Sequence, residues 1–580
     1  MSTDTPARPV HNPGLSSDNH HFPRSAPSDP TAPHVETATV HVDASSDRGP
    51  LTPVWASVGF DEINWTYTPT GRTLLNTFGE FSDRAYHIRP HYVFCSGTGF
   101  GIPHWGNGNV YHEDADGNPL YDFAIADQVY DAIVEAGHHV LVELAFTPRD
   151  LLPPEADDLK VVSSPTVYSN YEAGAWAYPP KDYARWGELV AAHARHCLER
   201  YGADEVGEWL WELWNEPDIF YWKGTTQQFC ELYAVTAQAV RSVLPQAKVG
   251  GPAVTGGGVE FLREFLTHTS ANAVPLDFVS FHTKGSAFTP WRTYGPTGAP
   301  AAEADRQNPS AHKMLFEIRR LMRVMAEFEE YRDTPAIVDE CDAGVPAHYG
   351  AYDNPNFAFQ NTEYYPVFQA KLFKKILDLN EAEVVTVEQA TSWSWYFEGE
   401  RYFEGTRAFL TAGGVEKPLL NAYRMMARLG TTRLAATSSA ASPADLVDAG
   451  DGLSMPEEVD VLASRGEDGR VALLVWRHTD DQYRTDDGPT PVRVTVDGLA
   501  AGEYALTHHR IDATHSNAHT VWRDLGSPQV PDDEQLAAVK ARQGLEEFEP
   551  SRRIDVDGPV TLDLELPLPS VSLLVLSARP

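Results

Sequence analysis

Between Val54 and Gly430, short apolar runs alternate eight times with longer amphipathic stretches. The runs are Val54–Phe60, Tyr86–Phe94, His139–Phe146, Trp209–Trp214, Lys248–Val254, Asp277–His282, Ala336–Glu340 and Val385–Trp395. Near-continuous apolar runs mark strands covered on both faces. Helical spacing fills Phe123–Ala136, Tyr183–Tyr201, Gln227–Leu244, Ala311–Glu330 and Tyr365–Leu379, and is faintest after the first and sixth strands. Eight strand–helix units over about 380 residues predict an α/β fold, a parallel (β/α)8 barrel with long loops.

After Gly430 the period changes from helical to two. Val459–Ser464, Val471–Arg477, Val492–Val496, Glu503–Ile511, Val560–Leu566 and Ser570–Leu576 alternate as the strands of a C-terminal β-sandwich, with one helical insertion at Asp532–Gly544. Thr437–Pro443 reads as a linker or loop. The expected layout is a flexible tail over 1–35, a strand within 36–50 that joins the sandwich, the barrel over 51–430 and the sandwich over 431–580.

The chain carries 45 Lys and Arg against 82 Asp and Glu, a net charge of −37. Nucleic acid and anionic membrane both need a basic face, so neither is expected as a partner. No stretch is long and apolar enough to span a membrane. The N-terminus lacks the apolar run of a secretory signal. Cys95, Cys197, Cys230 and Cys341 have no metal or redox spacing and read as small buried hydrophobes. These features lead us to expect a cytoplasmic protein without metal or cofactor, and they leave a homo-oligomer open.

The chemistry concentrates at two strand ends. Trp209–Trp214 runs straight into Asn215-Glu216-Pro217, and Ala336–Val338 leads to Asp339-Glu340-Cys341-Asp342. These are the fourth and seventh strands, which face each other across the mouth of a barrel whose sites lie at the carboxyl ends of its strands. Glycoside hydrolysis needs one carboxyl to protonate the leaving oxygen and one carboxylate at the anomeric carbon. We read Glu216 as general acid/base, with Asn215 donating to a sugar hydroxyl, and Glu340 as nucleophile. Asp339 and Asp342 compete for the second role.

At these residues the chain resembles glycoside hydrolase family 39, which holds β-xylosidases and α-L-iduronidases. The resemblance rests on Trp214-Asn-Glu-Pro217, on Val249-Gly-Gly-Pro252 and on Lys417–Gly430, and spans about residues 50–430 and the sandwich. It implies catalytic glutamates on strands four and seven, a retaining mechanism, a small glycoside as substrate and no cofactor. Xylosidases of the family carry His-x-Tyr after strand six, whereas here the stretch is Phe281-His282-Thr283-Lys284-Gly285. That departure, and Asp339-Glu-Cys-Asp342, look more like the iduronidases, in which the lysine helps bind a substrate carboxylate. The resemblance thus implies an exo-acting β-xylosidase-type enzyme, with α-L-iduronide or α-L-arabinoside as alternatives. A carbohydrate-binding protein without activity is the rival from another class.

Further substrate-binding candidates are His91, which shares a strand face with Arg89, and His282 at the end of strand six. Beyond strand eight, Trp393 or Trp395 should supply a stacking platform, and Glu398, Glu400 or Glu404 should accept sugar hydroxyls. In the loop Cys95–Leu120, Gly97, Gly99 and Gly101 lack the Lys-Ser/Thr of a phosphate loop. The loop is expected to form a pocket wall that restricts cleavage to chain ends. Cys341 lacks an evident base and is read as packing.

Overall fold

The structure is a computed structural model, describing residues 31–97, 106–159, 175–286, 288, 305–345, 349–393, 401–443, 454–484, 486 and 488–579. Eight strands form the expected barrel: β1 (Ser57–Phe60), β2 (His87–Pro90), β3 (His139–Leu144), β4 (Leu210–Leu213), β5 (Lys248–Val254), β6 (Phe278–Lys284), β7 (Ala336–Asp342) and β8 (Val387–Ala390). They are hydrogen-bonded in chain order, every neighbour parallel. Closure comes from a parallel bridge between Val58 and Ser392, with Gly59 N donating to Ser392 O at 3.0 Å.

Eight helices follow the strands: α1 (Pro69–Phe81), α2 (Ala124–Glu135), α3 (Tyr183–Tyr201), α4 (Thr226–Val243), α5 (Val259–Ala271), α6 (Ala311–Ala326), α7 (Tyr364–Ala382) and α8 (Pro418–Met426). Their starts are written locally. Pro69 opens α1 behind Thr68, whose hydroxyl accepts from Gly71 N, and Thr225 and Gln228 cap α4 reciprocally.

Period two governs the barrel interior. Leu141, Leu210, Phe278 and Ile337 form an apolar plug inside. Two residues further along three of those strands stand Glu143, Glu212 and Asp339, all fully buried. A polar layer therefore sits directly on an apolar one, at the carboxyl-terminal side.

The distal strands run in the order Glu547–Val556, Gly502–Ile511, Ser570–Ala578, Val471–His478, Glu458–Arg465, Thr432–Ser438, Ala38–Pro50, Thr490–Asp497 and Val560–Leu566. Only Ala38–Pro50 and Thr490–Asp497 pair in parallel among them. All nine give residues to one apolar core. Val471, Leu473 and Val475 face that core, while Ala472, Leu474 and Trp476 belong to the core of the barrel. Helix α7 is buried on most sides because it lies in this second interface. There Lys371 reaches Asp480 at 2.6 Å and Lys375 reaches Asp460 at 2.8 Å.

Three local readings are corrected. The expected linker begins inside strand Thr432–Ser438. Strand Glu547–Val556 shows no alternation, because it lies at the sheet edge and is exposed along most of its length. The helix expected within Asp532–Gly544 is Asp533–Lys540, and a second, Ala518–Asp524, precedes it where none was expected.

Candidate active site

On β4, Leu210 and Glu212 point inward while Trp209 and Trp211 pack among the helices. The strand then leaves extended geometry. Trp214 has φ 71° and Glu216 has φ 45°, left-handed conformations that non-glycine residues adopt at a cost. Two bonds hold this turn: the Trp214 indole donates to Tyr221 O at 3.0 Å, and Glu216 N donates to Ala253 O at 2.9 Å. The result lifts Glu216 out of the strand and into the mouth.

Strand β7 solves a different problem. In regular pleating Asp339 and Glu340 would face opposite sides. Pairing with β6 shifts between Val338 and Glu340, a bulge that turns both carboxylates inward. Asp339 lies 3.2 Å from His282 Nε2, and Glu340 lies 3.7 Å from His282 Nδ1. Cys341 then faces the outer core, its thiol pushed up by burial, and Asp342 faces in again.

Arg89, on β2, is the hub beneath the pair. Fully buried, it reaches Glu212 at 2.7 Å, Glu143 at 3.0 Å, Asp339 at 3.2 Å and Glu340 at 3.4 Å, and it donates to Asn215 Oδ1 at 3.2 Å. Above it, Lys284 Nζ lies 2.5 Å from both Glu340 Oε2 and Asp342 Oδ2. Arg407 closes on Asp342 from the segment after β8.

The charges set one another. Burial works against ionisation of Glu340, yet His282, Lys284 and Arg89 outweigh it and hold the carboxyl far below the usual carboxylate range. Burial likewise opposes charge on His282, and the Glu340 and Asp339 carboxylates overcome it, keeping the imidazole protonated. Glu212 is pushed upward, chiefly by burial. Thus Glu340 stands as an anion in a cationic shell. Among the described residues the Glu216 carboxyl is hydrogen-bonded to His282 Nδ1 at 2.8 Å, and its side chain keeps 14% exposure.

One oxygen each of Glu216 and Glu340 and one nitrogen of His282 lie within 4.8 Å of one another. These atoms could surround a cation, but a protonated imidazole is not a ligand.

Other expected residues fall as follows. His91 is buried between Glu143 at 3.0 Å and Asp61 at 3.2 Å; burial opposes its charge, and those acids raise it to about 9. Trp393 is almost wholly buried, its ring 5.2 Å from that of His91 and 5.0 Å from the Arg89 guanidinium, its indole donating to Asp61. Gly59 makes room for it: a Cβ there would stand 2.2 Å from a Trp393 ring carbon. Glu404 is half-buried after β8, its carbonyl accepting from Ala351 N and its charge acting on buried Lys417. Trp395, Glu398 and Glu400 lie outside the described residues. Arg89, Glu143, Glu212 and Arg407 belong to the cluster but not to the expected set, and Asp339 and Asp342 belong to it although the sequence offered them only as rivals to Glu340. Arg89 and Asp339 carried a signal, charge at an inward position of a buried strand. Arg407 carried none.

A (β/α)8 barrel bearing two carboxylates at this spacing, at its carboxyl-terminal mouth, is the architecture of glycoside hydrolases that retain anomeric configuration. The model of Glycosyl hydrolases family 39 matches residues 38–558, and the chain belongs to that family, which is a retaining one. It is 26% identical over 526 residues to the Beta-xylosidase of Geobacillus stearothermophilus, covering 88% of this chain and 92% of that one. It is 24% identical over 588 residues to the Alpha-L-iduronidase of Mus musculus, covering 93% and 81%. Among solved structures, a monomeric beta-xylosidase from Caulobacter crescentus CB15 shares the fold with TM-score 0.71 at 21% identity, over 93% of this chain and 100% of that one. Among the described residues, no helix is long and apolar enough to cross a membrane.

Proposed function

We propose that this glycosidase is exo-acting, with Glu340 as nucleophile and Glu216 as general acid/base. The observation that carries the reading is the asymmetry of the pair: one carboxylate buried and ionised among cations, the other more exposed and within 4.8 Å of it. Glu340 attacks C1 while Glu216 protonates the departing oxygen. Water, deprotonated by Glu216, then attacks C1 and Glu340 leaves. A strongly acidic carboxyl is a good leaving group, so the cationic shell favours this second step. His282 donates to Glu216 and steadies the carboxylate formed when its proton is given away. The loop after β2 supports exo action. Its hairpin, Tyr111–Glu113 with Pro119–Tyr121, stands on the side of the pair and is tied down by Glu113 to Lys181 at 2.8 Å.

For the sugar, β-D-xyloside is the first reading, because the β-xylosidase relatives cover most of the chain. β-D-Xyloside, α-L-iduronide and α-L-arabinopyranoside share one anomeric arrangement and differ at C5 or C4. Lys284 and Arg407, both seated on Asp342, favour the iduronide as the second reading, since two cations could face a C5 carboxylate. A panel of nitrophenyl glycosides separates the three.

Glu340→Ala should abolish turnover. Azide should then enter from the vacated side and give a glycosyl azide of inverted configuration. Glu216→Ala should instead give the retained azide, and it should lose about 10²–10⁴-fold on substrates with poor leaving groups. Normal turnover by Glu340→Ala, or the azide stereochemistry reversed, would overturn the assignment.

A further inference from the structure

Lys223 stands seven residues past Glu216, on the segment that leaves β4. Two successive turns fold that segment back: Ile219 N donates to Glu216 O at 3.3 Å and Trp222 N to Ile219 O at 3.3 Å. Each such turn spans less than about 7 Å between its end Cα atoms, so Trp222 stays within about 14 Å of Glu216. Lys223 N donates to Ala177 O at 2.9 Å, and its ammonium lies 4.7 Å from the centre of the Tyr178 ring.

This ammonium is half-buried and pulled below its ordinary pKa by burial. No carboxylate of the described residues lies within ion-pair distance of it. Arg89, His91, His282, Lys284 and Arg407 each face carboxylates. With no counter-charge among the described residues, this half-buried ammonium can take one from a ligand. Its surroundings suit one. Tyr178, Trp176, Phe220 and Tyr221 line the same rim, with Trp176 and Tyr221 centroids 5.5 Å apart and Phe220 and Tyr221 4.3 Å apart. This rim belongs to the loops after β3 and β4, on the Glu216 side. Lys284 and Arg407, by contrast, approach from β6 and from beyond β8. Under the roles given above, on which this step rests, the group departing from Glu216 lies toward the rim.

We propose that Lys223 and its aromatic rim form a leaving-group subsite that selects an aglycone bearing a carboxylate.

The test compares two nitrophenyl glycosides of the preferred sugar, one with a carboxylate on the aryl ring, matched in phenol acidity. The quantity read is the ratio of their kcat/KM values, because only the first step involves the aglycone. At low ionic strength the wild type should favour the anionic compound by about three- to tenfold. The ratio should fall toward one as salt screens the contact. Lys223→Gln should bring it to one or below, Lys223→Glu should invert it, and Lys223→Arg should keep it. A ratio unchanged in Lys223→Gln overturns the proposal. So does a wild-type ratio that rises with salt: a chain this acidic repels anions, and without a local cation, screening would help the anionic substrate. The salt series alone decides if the variants do not fold. Hydrolysis without preference leaves the proposed function standing, whereas no hydrolysis of any glycoside overturns that function itself.

Discussion

Arg89→Met tests the electrostatic account of the site most directly. At contacts of 2.7–3.4 Å, each carboxylate attracts the guanidinium by about 5–6 kcal/mol at an effective dielectric near 20. Most of this offsets the cost of burying the charge. Deleting one member of a buried ionic cluster leaves a net loss of about 3–5 kcal/mol. For a chain of this size that means a fall in Tm on the order of 5 °C. The loss should depend on pH. Arg89 helps to hold Asp339 and Glu340 below their ordinary range. A depressed carboxyl adds stability above its unfolded pKa, near 4, and loses it as pH falls through the folded value. Removing Arg89 removes part of that contribution, so the gap between wild type and variant should hold from pH 7 down to about 4 and narrow as pH falls further. Calorimetry at pH 7.0 and 3.0 measures both terms. A destabilisation under about 1 kcal/mol, or one that ignores pH, would refute the reasoning.

Three further outcomes follow from the same geometry. His282→Gln removes a cation from beside Glu340, so the acidic limb of kcat/KM should move up by about one to three pH units; a pH–rate profile with an unmoved limb speaks against it. Gly59→Ala drives a methyl group into the Trp393 ring, which should cost about 1–3 kcal/mol and lower kcat/KM; unchanged Tm and activity would show that the ring moves freely. Asp480→Ala strips partners from Lys371 and from the N–H groups of Ala311 and Met455. It should destabilise by about 3–5 kcal/mol and speed proteolysis between barrel and sheet; an unshifted Tm counts against that interface.

The barrel was legible because its signals are local: apolar runs of strand length, helical spacing between them and caps such as Thr225 and Gln228. Glu216 and Glu340 are read from the ends of the fourth and seventh strands together with the resemblance at Trp214–Pro217. What stayed hidden depends on contacts between distant segments. Period two assigns Asp339 and Glu340 to opposite faces, and only the bulge against β6 brings both inward. Arg89 was weighed beside His91 and passed over, because a charge inside a barrel declares itself only when carboxylates from β3, β4 and β7 converge on it. Arg407 sits in a segment with no period of its own, held by Asp342 at the end of the neighbouring strand. Strand Glu547–Val556 buries almost nothing, so the alternation that reveals its neighbours is missing.

Strand Ala38–Pro50 lies inside the distal sheet, yet both its neighbours come from the other end of the chain, at Thr432–Ser438 and Thr490–Asp497. During synthesis it leaves the ribosome ahead of the barrel and waits while roughly 380 residues are made, about 20–75 s at ordinary elongation rates. The barrel must be complete before its partners exist. The sheet therefore zips up last, and until then this strand's bare backbone edge is the nascent protein's main opening for mispairing with a second copy.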